Sequence, residues 1–143
     1  MKVHLSLATS DLDAAVSFYS ILLDAKPAKA VADYALFVTE RPALELALDR
    51  CHPVKRDAGA HYGICVATPD EVSRAAERFA AAGLAATIAR EESCCYANQT
   101  KVWTVDPDGR AWEIYAVHSE TSTRSGTDAS CCSSDSRELP CCT

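Results

Sequence analysis

The sequence predicts an α+β fold made of two βαβββ modules in succession. Twice along the chain, a strand with alternating apolar residues leads into a capped, amphipathic helix and then into about three further strands. The segment between the first strand and the helix also repeats, because Ala8-Thr9-Ser10-Asp11 is answered by Ala67-Thr68-Pro69-Asp70. With 143 residues, 48 % of them hydrophobic, the chain suits one compact domain, which we assign to residues 1–118.

The first module covers residues 1–50. Its first strand is predicted from the alternation of Val3, Leu5 and Leu7 with other residues, and Asp11 supplies a cap for the helix that follows. The later strands are apolar runs separated by a turn at Arg41-Pro42. The predicted elements are a strand at 3–8, a helix at 12–23, a short strand or connector at 26–29, and strands at 33–38 and 44–48.

A polar linker at 51–59 leads into the second module, residues 60–118. Its helix begins after Thr68, carries Pro69 in the first turn and ends before Gly83. A hairpin is predicted around the turn 106–109, where proline presets φ and glycine permits a positive φ. The predicted elements are a strand at 61–67, a helix at 69–82, a strand at 85–90, a polar loop at 91–101, and strands at 101–105 and 111–117.

Composition limits the partners and the location of the protein. The formal net charge is −6, which argues against nucleic acid and anionic membranes as partners. Residues 1–7 contain one lysine and no long apolar run, so we expect neither a signal peptide nor a membrane-spanning segment, and a cytoplasmic location. Residues 119–143 are rich in Ser, Thr and Cys and are predicted to be a flexible, disordered tail.

Histidine and glutamate residues recur at matching places in the two modules. His4 lies seven residues before Asp11, and His61 lies nine residues before Asp70. The difference is even, so both histidines are predicted on the same face of their strands. The closing strands each carry a glutamate, Glu45 or Glu113, among apolar neighbours, where an unpaired carboxylate would be costly.

Cysteine usage points to soft-ligand chemistry. In a reducing compartment the eight cysteines are better explained as thiolate ligands or reactive thiols than as a disulfide framework. Cys94 and Cys95 are adjacent, and adjacent strand residues point to opposite faces, so both can hold one thiophilic atom only in a bent loop. Cys51 and Cys65 are interpreted as structural, with Cys65 buried in its strand. Two further adjacent pairs lie in the tail, at Cys131–Cys132 and Cys141–Cys142.

Paired βαβββ modules with His, His and Glu on these strands resemble the vicinal oxygen chelate superfamily, which includes glyoxalases, extradiol dioxygenases and fosfomycin resistance proteins. The resemblance implies that the two modules form a half-open barrel holding a divalent metal. It implies that His4, His61 and Glu113 are the metal ligands. Glu45 occupies the fourth pseudo-symmetric position, where it either binds the metal or supports the ligands.

The segment CCYANQTKVW, from Cys94 to Trp103, narrows the resemblance. It is similar to the organoarsenical carbon–arsenic lyases and the related cadmium-induced proteins, over roughly Met1 to Val117. That family implies a non-haem Fe(II) dioxygenase with O₂ as co-substrate, which releases arsenite from methylarsenite and from aromatic arsenicals. A trivalent arsenical with one carbon substituent offers two positions for thiolates, which matches Cys94 and Cys95 as the catalytic, substrate-binding pair. Tyr96, Asn98 and Lys101 lie near this pair in sequence and could shape a pocket.

Alternatives remain open at this point. A cadmium- or arsenic-binding resistance protein would sequester metal and catalyse nothing, and a glyoxalase-like enzyme would use glutathione. The ligand set also admits Mn²⁺, Co²⁺ or Ni²⁺ in place of iron, and a homodimer is left open. For the tail we prefer a scavenging role, in which its cysteine pairs gather metalloids for the loop pair, over a simple metal buffer.

Overall fold

The computed structural model of the protein describes residues 1–52, 54, 60–94 and 96–122, without the side chains of residues 91–94. The described residues contain two helices and eight strands. In chain order these are β1 (Val3–Thr9), α1 (Leu12–Leu22), β2 (Lys29–Ala30), β3 (Tyr34–Glu40), β4 (Ala43–Arg50), β5 (His61–Cys65), α2 (Pro69–Ala81), β6 (Ala86–Cys94), β7 (Ala97–Val105) and β8 (Ala111–Glu120).

The strands form two four-stranded sheets with the same topology. The first sheet has the order β1-β4-β3-β2, and the second has the order β5-β8-β7-β6. In each, the first strand of the module pairs in parallel with the last, and the other neighbours are antiparallel. The prediction of an α+β fold with two βαβββ modules is therefore confirmed. The described residues divide into two compact units, one within residues 1–54 together with 106–109 and the other within residues 60–105 together with 110–122.

The first unit forms around one apolar face of its sheet. Helix α1 is capped by Asp11, whose carboxylate accepts a hydrogen bond from the Ala14 amide at 3.0 Å, and it packs on β3 and β4. Phe18 is buried in this core. The buried residues that make up the core include Leu12, Ala15, Phe18, Tyr19, Leu22, Phe37, Leu46 and Leu48.

The turn 106–109 belongs to this first unit, although its sequence lies between two strands of the second sheet. The Tyr19 hydroxyl donates a buried hydrogen bond to Asp106 Oδ2 at 2.7 Å. The Ser10 amide and hydroxyl both donate to Asp108 Oδ1, at 2.9 and 2.7 Å. Sequence periodicity assigned these two aspartates a role only in the turn itself.

In the second unit, α2 packs on β6, β7 and β8. Its start is fixed by a capping box, in which the Thr68 hydroxyl accepts from the Glu71 amide while the Glu71 carboxylate accepts from the Thr68 amide. Its end is followed by Gly83 at φ 70°, as the sequence predicted. Val72, Ala75 and Phe79 are buried on the side of the helix that faces the sheet core.

The expectation of a loop at 91–101 is wrong, because most of that stretch belongs to the hairpin of β6 and β7. Cys94 is the last residue of β6 and pairs with Ala97, and Tyr96 between them has φ 66°. Polar composition suggested a loop, but cross-strand pairing supplies hydrogen bonds to polar and apolar stretches alike. Bulges on both sides of β7 allow the pairing to continue through this irregular stretch.

Strand β8 extends to Glu120, past the predicted end at 117. Ala97 pairs with Glu120, and the Thr121 amide donates to the Tyr96 carbonyl at 2.7 Å. Thr100 Oγ1 also lies 2.8 Å from His118 Nε2. Two residues of the predicted tail are therefore strand, and residues 123–143, with all four tail cysteines, lie outside the described residues.

Candidate functional site

The second sheet gathers a set of polar and aromatic side chains on one face. Parallel pairing of β5 and β8 places Gly63 beside Glu113, and Trp103 of β7 is the partner of Glu113 on the other side. Because side chains alternate in direction along a strand, His61 and Lys101 share this face with them. We refer to these five residues as the second-sheet site. The apolar residues Ile64, Val102 and Ile114 point to the opposite face.

The Glu113 carboxylate is nearly buried and faces His61. Its side chain is 11 % exposed, and Oε1 lies 3.7 Å from His61 Nε2. This contact is diagonal, since the partner of His61 in register is Ala111. A Cβ at position 63 would lie 3.1 Å from Oε1, so the glycine leaves the room that the carboxylate needs.

Lys101 is the most deeply buried charged side chain of this site. Only 2 % of its side chain is exposed, and its Nζ lies 3.9 Å from Glu113 Oε2. A carboxylate and an ammonium that are both removed from water are stabilised by facing each other. Position in the sequence predicts Lys101 near the cysteine pair, whereas its contact with Glu113 appears only in the fold. The sequence feature that predicts this contact is the spacing of Lys101, Trp103 and Val105. Once the segment is assigned as a strand, this spacing places the three side chains on one face.

Aromatic residues surround this pair. The ring of Trp103 meets the His61 ring edge-on at 5.3 Å and lies 5.7 Å from Lys101 Nζ, so it contacts both partners of Glu113. Burial first, then the Cys65 thiol and the Glu113 charge, raise the pKa of Tyr115 above its ordinary value of 10.0. The phenol therefore keeps its proton at neutral pH and can donate a hydrogen bond.

The first sheet carries the corresponding pair in a more open form. His4 is directly in register with Glu45, and His4 Nδ1 lies 3.7 Å from Glu45 Oε2. The side chains are 60 % and 45 % exposed. In each sheet the histidine and the glutamate therefore lie on the same face. Further along the same face, the Ser6 hydroxyl donates to Asp49 Oδ2 at 3.2 Å.

The donor atoms of both pairs suit a divalent metal. Two atoms bound at about 2.0–2.2 Å to one ion lie about 3.0–3.6 Å apart, close to the 3.7 Å found in each pair. Imidazole nitrogen with carboxylate oxygen is a donor set that Fe, Mn, Co and Ni accept. Among the described residues, no three His, Cys, Asp or Glu side chains converge into one metal-binding group. The geometry therefore gives two histidine–glutamate pairs, one in each unit, and the ligand set His4, His61 and Glu113 stays a prediction.

The predicted thiol site is described only in part. The backbone of Cys94 ends β6, its side chain is not described, and Cys95 lies outside the described residues. Cys51 and Cys65 are free thiols, and the expectation that Cys65 is buried is wrong, because it is exposed. The reason is that β5 is an edge strand and Cys65 alternates with the core residue Ile64.

Comparison with known proteins defines the class of protein. Residues 3–114 match the family described as Glyoxalase/Bleomycin resistance protein/Dioxygenase superfamily, and the chain belongs to that superfamily. A solved structure of the fosfomycin resistance protein FosX from Listeria monocytogenes, in complex with Mn(II) and sulfate, has a TM-score of 0.63. It is 17 % identical and covers 81 % of this chain and 89 % of that one. This likeness concerns the fold, which is the vicinal oxygen chelate fold.

Relatives closer in sequence narrow the comparison. The chain is 37 % identical over 131 residues to a trivalent organoarsenical cleaving enzyme from Thermomonospora curvata, with 92 % of this chain and 87 % of the relative covered. It is 35 % identical over 141 residues to the cadmium-induced protein CadI of Mycobacterium bovis, with 99 % and 92 % covered. None of the described helices is long and apolar enough to span a membrane.

Proposed function

We propose that the protein is a non-haem Fe(II)-dependent dioxygenase that cleaves the carbon–arsenic bond of trivalent organoarsenicals and releases arsenite. Methylarsenite is the first candidate substrate, followed by aromatic arsenicals. The observation that carries the proposal is the nearly buried Glu113 carboxylate, whose Oε1 faces His61 at 3.7 Å on the sheet whose hairpin strand ends at Cys94. The similarity to enzymes named for this reaction supports it.

The proposed metal ligands are His4, His61 and Glu113. Two histidines and one carboxylate with open positions suit Fe(II), and Mn²⁺, Co²⁺ or Ni²⁺ are accepted by the same donors. When bound, the iron would supply the activation of O₂. Glu45 is a further candidate, but its side chain is 45 % exposed, whereas that of Glu113 is 11 % exposed. We therefore assign Glu45 to the surroundings of the ligands.

The proposed substrate ligands are the thiolates of Cys94 and Cys95. One carbon and two thiolates satisfy a trivalent arsenic atom, so a vicinal pair would hold the organic group in a single orientation. The hairpin of β6 and β7 supports such a role, because β7 pairs with β6 on one side and with β8 on the other. The Thr121 amide, just after β8, also donates a hydrogen bond to the Tyr96 carbonyl. We propose a cytoplasmic location, where adjacent thiols stay reduced.

Trp103 of the second-sheet site and the neighbouring Tyr115 would prepare the surroundings of the reaction. Trp103 is buried and contacts His61, so it would orient the imidazole and exclude water from that side. The Tyr115 phenol, protonated at neutral pH, would offer a hydrogen bond to an oxygen atom near Glu113. These roles require binding and orientation by the chain, with no proton removed from Tyr115.

A second candidate function is metal sequestration, and one observation favours it. The similarity to a protein named as cadmium-induced extends over 99 % of the chain. In that case the thiols would bind Cd²⁺ or arsenite tightly, with no oxygen consumed and no carbon–arsenic bond broken. The glutathione-dependent alternative is weaker, because glutathione transfer gives no reason for the adjacent cysteines Cys94 and Cys95 in the sequence.

The test is anaerobic reconstitution of the full chain with Fe(II), followed by methylarsenite and O₂, with arsenite measured by chromatography and elemental detection. The proposal predicts arsenite release that requires both iron and oxygen. Cys95→Ser and His61→Ala should abolish it, whereas the matched controls Cys51→Ser and His52→Ala, at exposed positions, should retain it. Stoichiometric arsenic binding without arsenite release or O₂ uptake would instead establish sequestration.

A further inference from the structure

The two oxygens of the Glu113 carboxylate have different neighbours. Oε1 faces His61 Nε2 at 3.7 Å, and Oε2 faces Lys101 Nζ at 3.9 Å. A carboxylate can bind a metal through one oxygen or through both, and its orientation decides which. In this site the orientation is set by a histidine on one strand and a lysine on another.

Burial makes this arrangement a strong constraint. The Lys101 side chain is 2 % exposed and that of Glu113 is 11 % exposed, so little water is available to screen their attraction. A long lysine side chain usually keeps its ammonium in water, and Lys101 does not. Its ammonium lies 3.9 Å from Glu113 Oε2 and 5.7 Å from the centroid of the Trp103 ring. The cation thus contacts both a carboxylate and an aromatic ring.

The opposite side of the carboxylate is shaped by the absence of a side chain. A Cβ at Gly63 would lie 3.1 Å from Oε1 and 3.3 Å from Cγ of Glu113. Such contacts would push Glu113 away from β5 and from His61. Gly63 gives the carboxylate access to His61, and Lys101 holds its far oxygen.

The first sheet provides an internal comparison. Leu36 is two residues before Val38, the partner of Glu45, just as Lys101 is two residues before Trp103, the partner of Glu113. Leu36 therefore takes the place of the lysine. Where leucine stands, the glutamate side chain is 45 % exposed. Of the two sheets, the one with the lysine at this position is the one in which the glutamate is buried.

From these contacts we infer that Lys101 is a positioning residue, which holds Oε2 of Glu113 so that Oε1 is the oxygen presented to the metal beside His61. The inference rests on the proposed metal site and adds the determinant of its ligand geometry. Residues that orient metal ligands without touching the metal alter its affinity by about 10- to 100-fold when replaced. Lys101 acts through Glu113, and its effect must vanish when the Glu113 carboxylate is absent.

The experiment is a double-mutant cycle on Mn²⁺ affinity of the full chain, measured from the electron paramagnetic resonance signal of free Mn²⁺. Mn²⁺ prefers oxygen and nitrogen donors, which keeps it away from the eight thiols. We expect Lys101→Met to weaken Mn²⁺ binding by about tenfold or more in the native background and by less than about twofold in Glu113→Gln. Lys29→Met, at an exposed lysine over Tyr34, is the matched control and should leave the affinity unchanged.

Three outcomes would overturn the inference. Tighter Mn²⁺ binding in Lys101→Met would show that the lysine acts only by repelling the cation. Equal weakening in the native and Glu113→Gln backgrounds would show a general structural role. An unchanged affinity in Glu113→Gln would remove Glu113 from the metal site, and would contradict the proposed ligand set as well.

A folding defect in Lys101→Met would be visible by circular dichroism. In that event Lys101→Leu, which copies the residue of the first sheet, replaces it in the same cycle with the same expected values. The assay measures metal affinity without arsenic, iron or O₂. If the arsenite-release assay fails, the Mn²⁺ affinities can therefore still be interpreted. If Lys101 and Glu113 show no coupling in Mn²⁺ affinity, the lyase proposal is unaffected.

Discussion

The two sheets have the same topology, and each carries one histidine–glutamate pair. The two pairs differ in their register and in their exposure to solvent. In the first sheet His4 and Glu45 are in register, and both side chains are about half exposed. In the second, the histidine is displaced by two residues along its strand, and the glutamate is nearly buried beside a lysine. The histidine and the glutamate thus lie on one face of the sheet in both modules, while the exposure of the glutamate to solvent differs. The difference teaches that burial of a carboxylate goes together with a compensating cation and with a glycine that leaves it room.

The largest expected difference between the sheets concerns the two glutamates. Glu113→Ala leaves the Lys101 ammonium without the carboxylate beside it in a buried place, and should lower the free energy of unfolding by about 3 to 5 kcal/mol. Glu45→Ala removes a half-exposed group and should change it by less than about 0.5 kcal/mol. Denaturation in guanidinium chloride measures both. Recovery of stability in the double variant Glu113→Ala, Lys101→Met would confirm the cause, and equal losses at the two glutamates would contradict the comparison.

A smaller effect is expected from filling the space beside Glu113. Gly63→Ala places a methyl group 3.1 Å from both Glu113 Oε1 and Tyr115 Cε1, and overpacking of this size costs about 1 to 3 kcal/mol. Displacement of the carboxylate should also weaken Mn²⁺ binding by about tenfold. Ser6→Ala, on the corresponding face of β1, is the control and should leave Mn²⁺ affinity within about twofold. An unaltered affinity in Gly63→Ala would mean that Glu113 reaches His61 without this space.

The smallest expected effect is a pH dependence confined to alkaline solution. The folded-state pKa of Tyr115 is raised by burial, so above pH 10 the folded protein retains a proton that the unfolded chain releases. Stability linked to Tyr115 is fully present below the unfolded pKa and is lost as the pH rises through the folded pKa. Tyr115→Phe should flatten the decline of the unfolding free energy above pH 10. An identical decline in the variant would exclude Tyr115 as its source.

Much of this arrangement could be predicted from the sequence, since it follows from strand parity and local caps. The even difference in the spacing of His4 and His61 placed both on the correct face, and the Thr68 cap placed α2 to within a residue. The apolar neighbours of Glu45 and Glu113 predicted that each carboxylate has a partner. These features depend on the residues next to them in the chain, which is why one sequence suffices.

The remaining features depend on partners distant in sequence. The hairpin at 91–101 was missed because its strands are polar and gain their hydrogen bonds from each other and from β8. Lys101 was missed because its burial follows from contacts with Glu113 and Trp103, which periodicity cannot reveal. Cys65 was predicted to be buried by residue type, whereas the position of β5 at the sheet edge decides its exposure.

The extension of β8 sets a practical boundary for dissecting the C-terminal segment. A truncation at Ser119 would delete the pairing partners of Asn98 and Ala97, beside the turn that follows Cys94. Loss of activity after such a cut would report on the hairpin as much as on Cys131 and the cysteines beyond it. A stop codon after Thr121 keeps the hydrogen bond to Tyr96 and removes residues 122–143, which include all four tail cysteines. Because β8 extends to Glu120, a deletion that begins after Thr121 tests the scavenging role of the tail without removing part of the sheet.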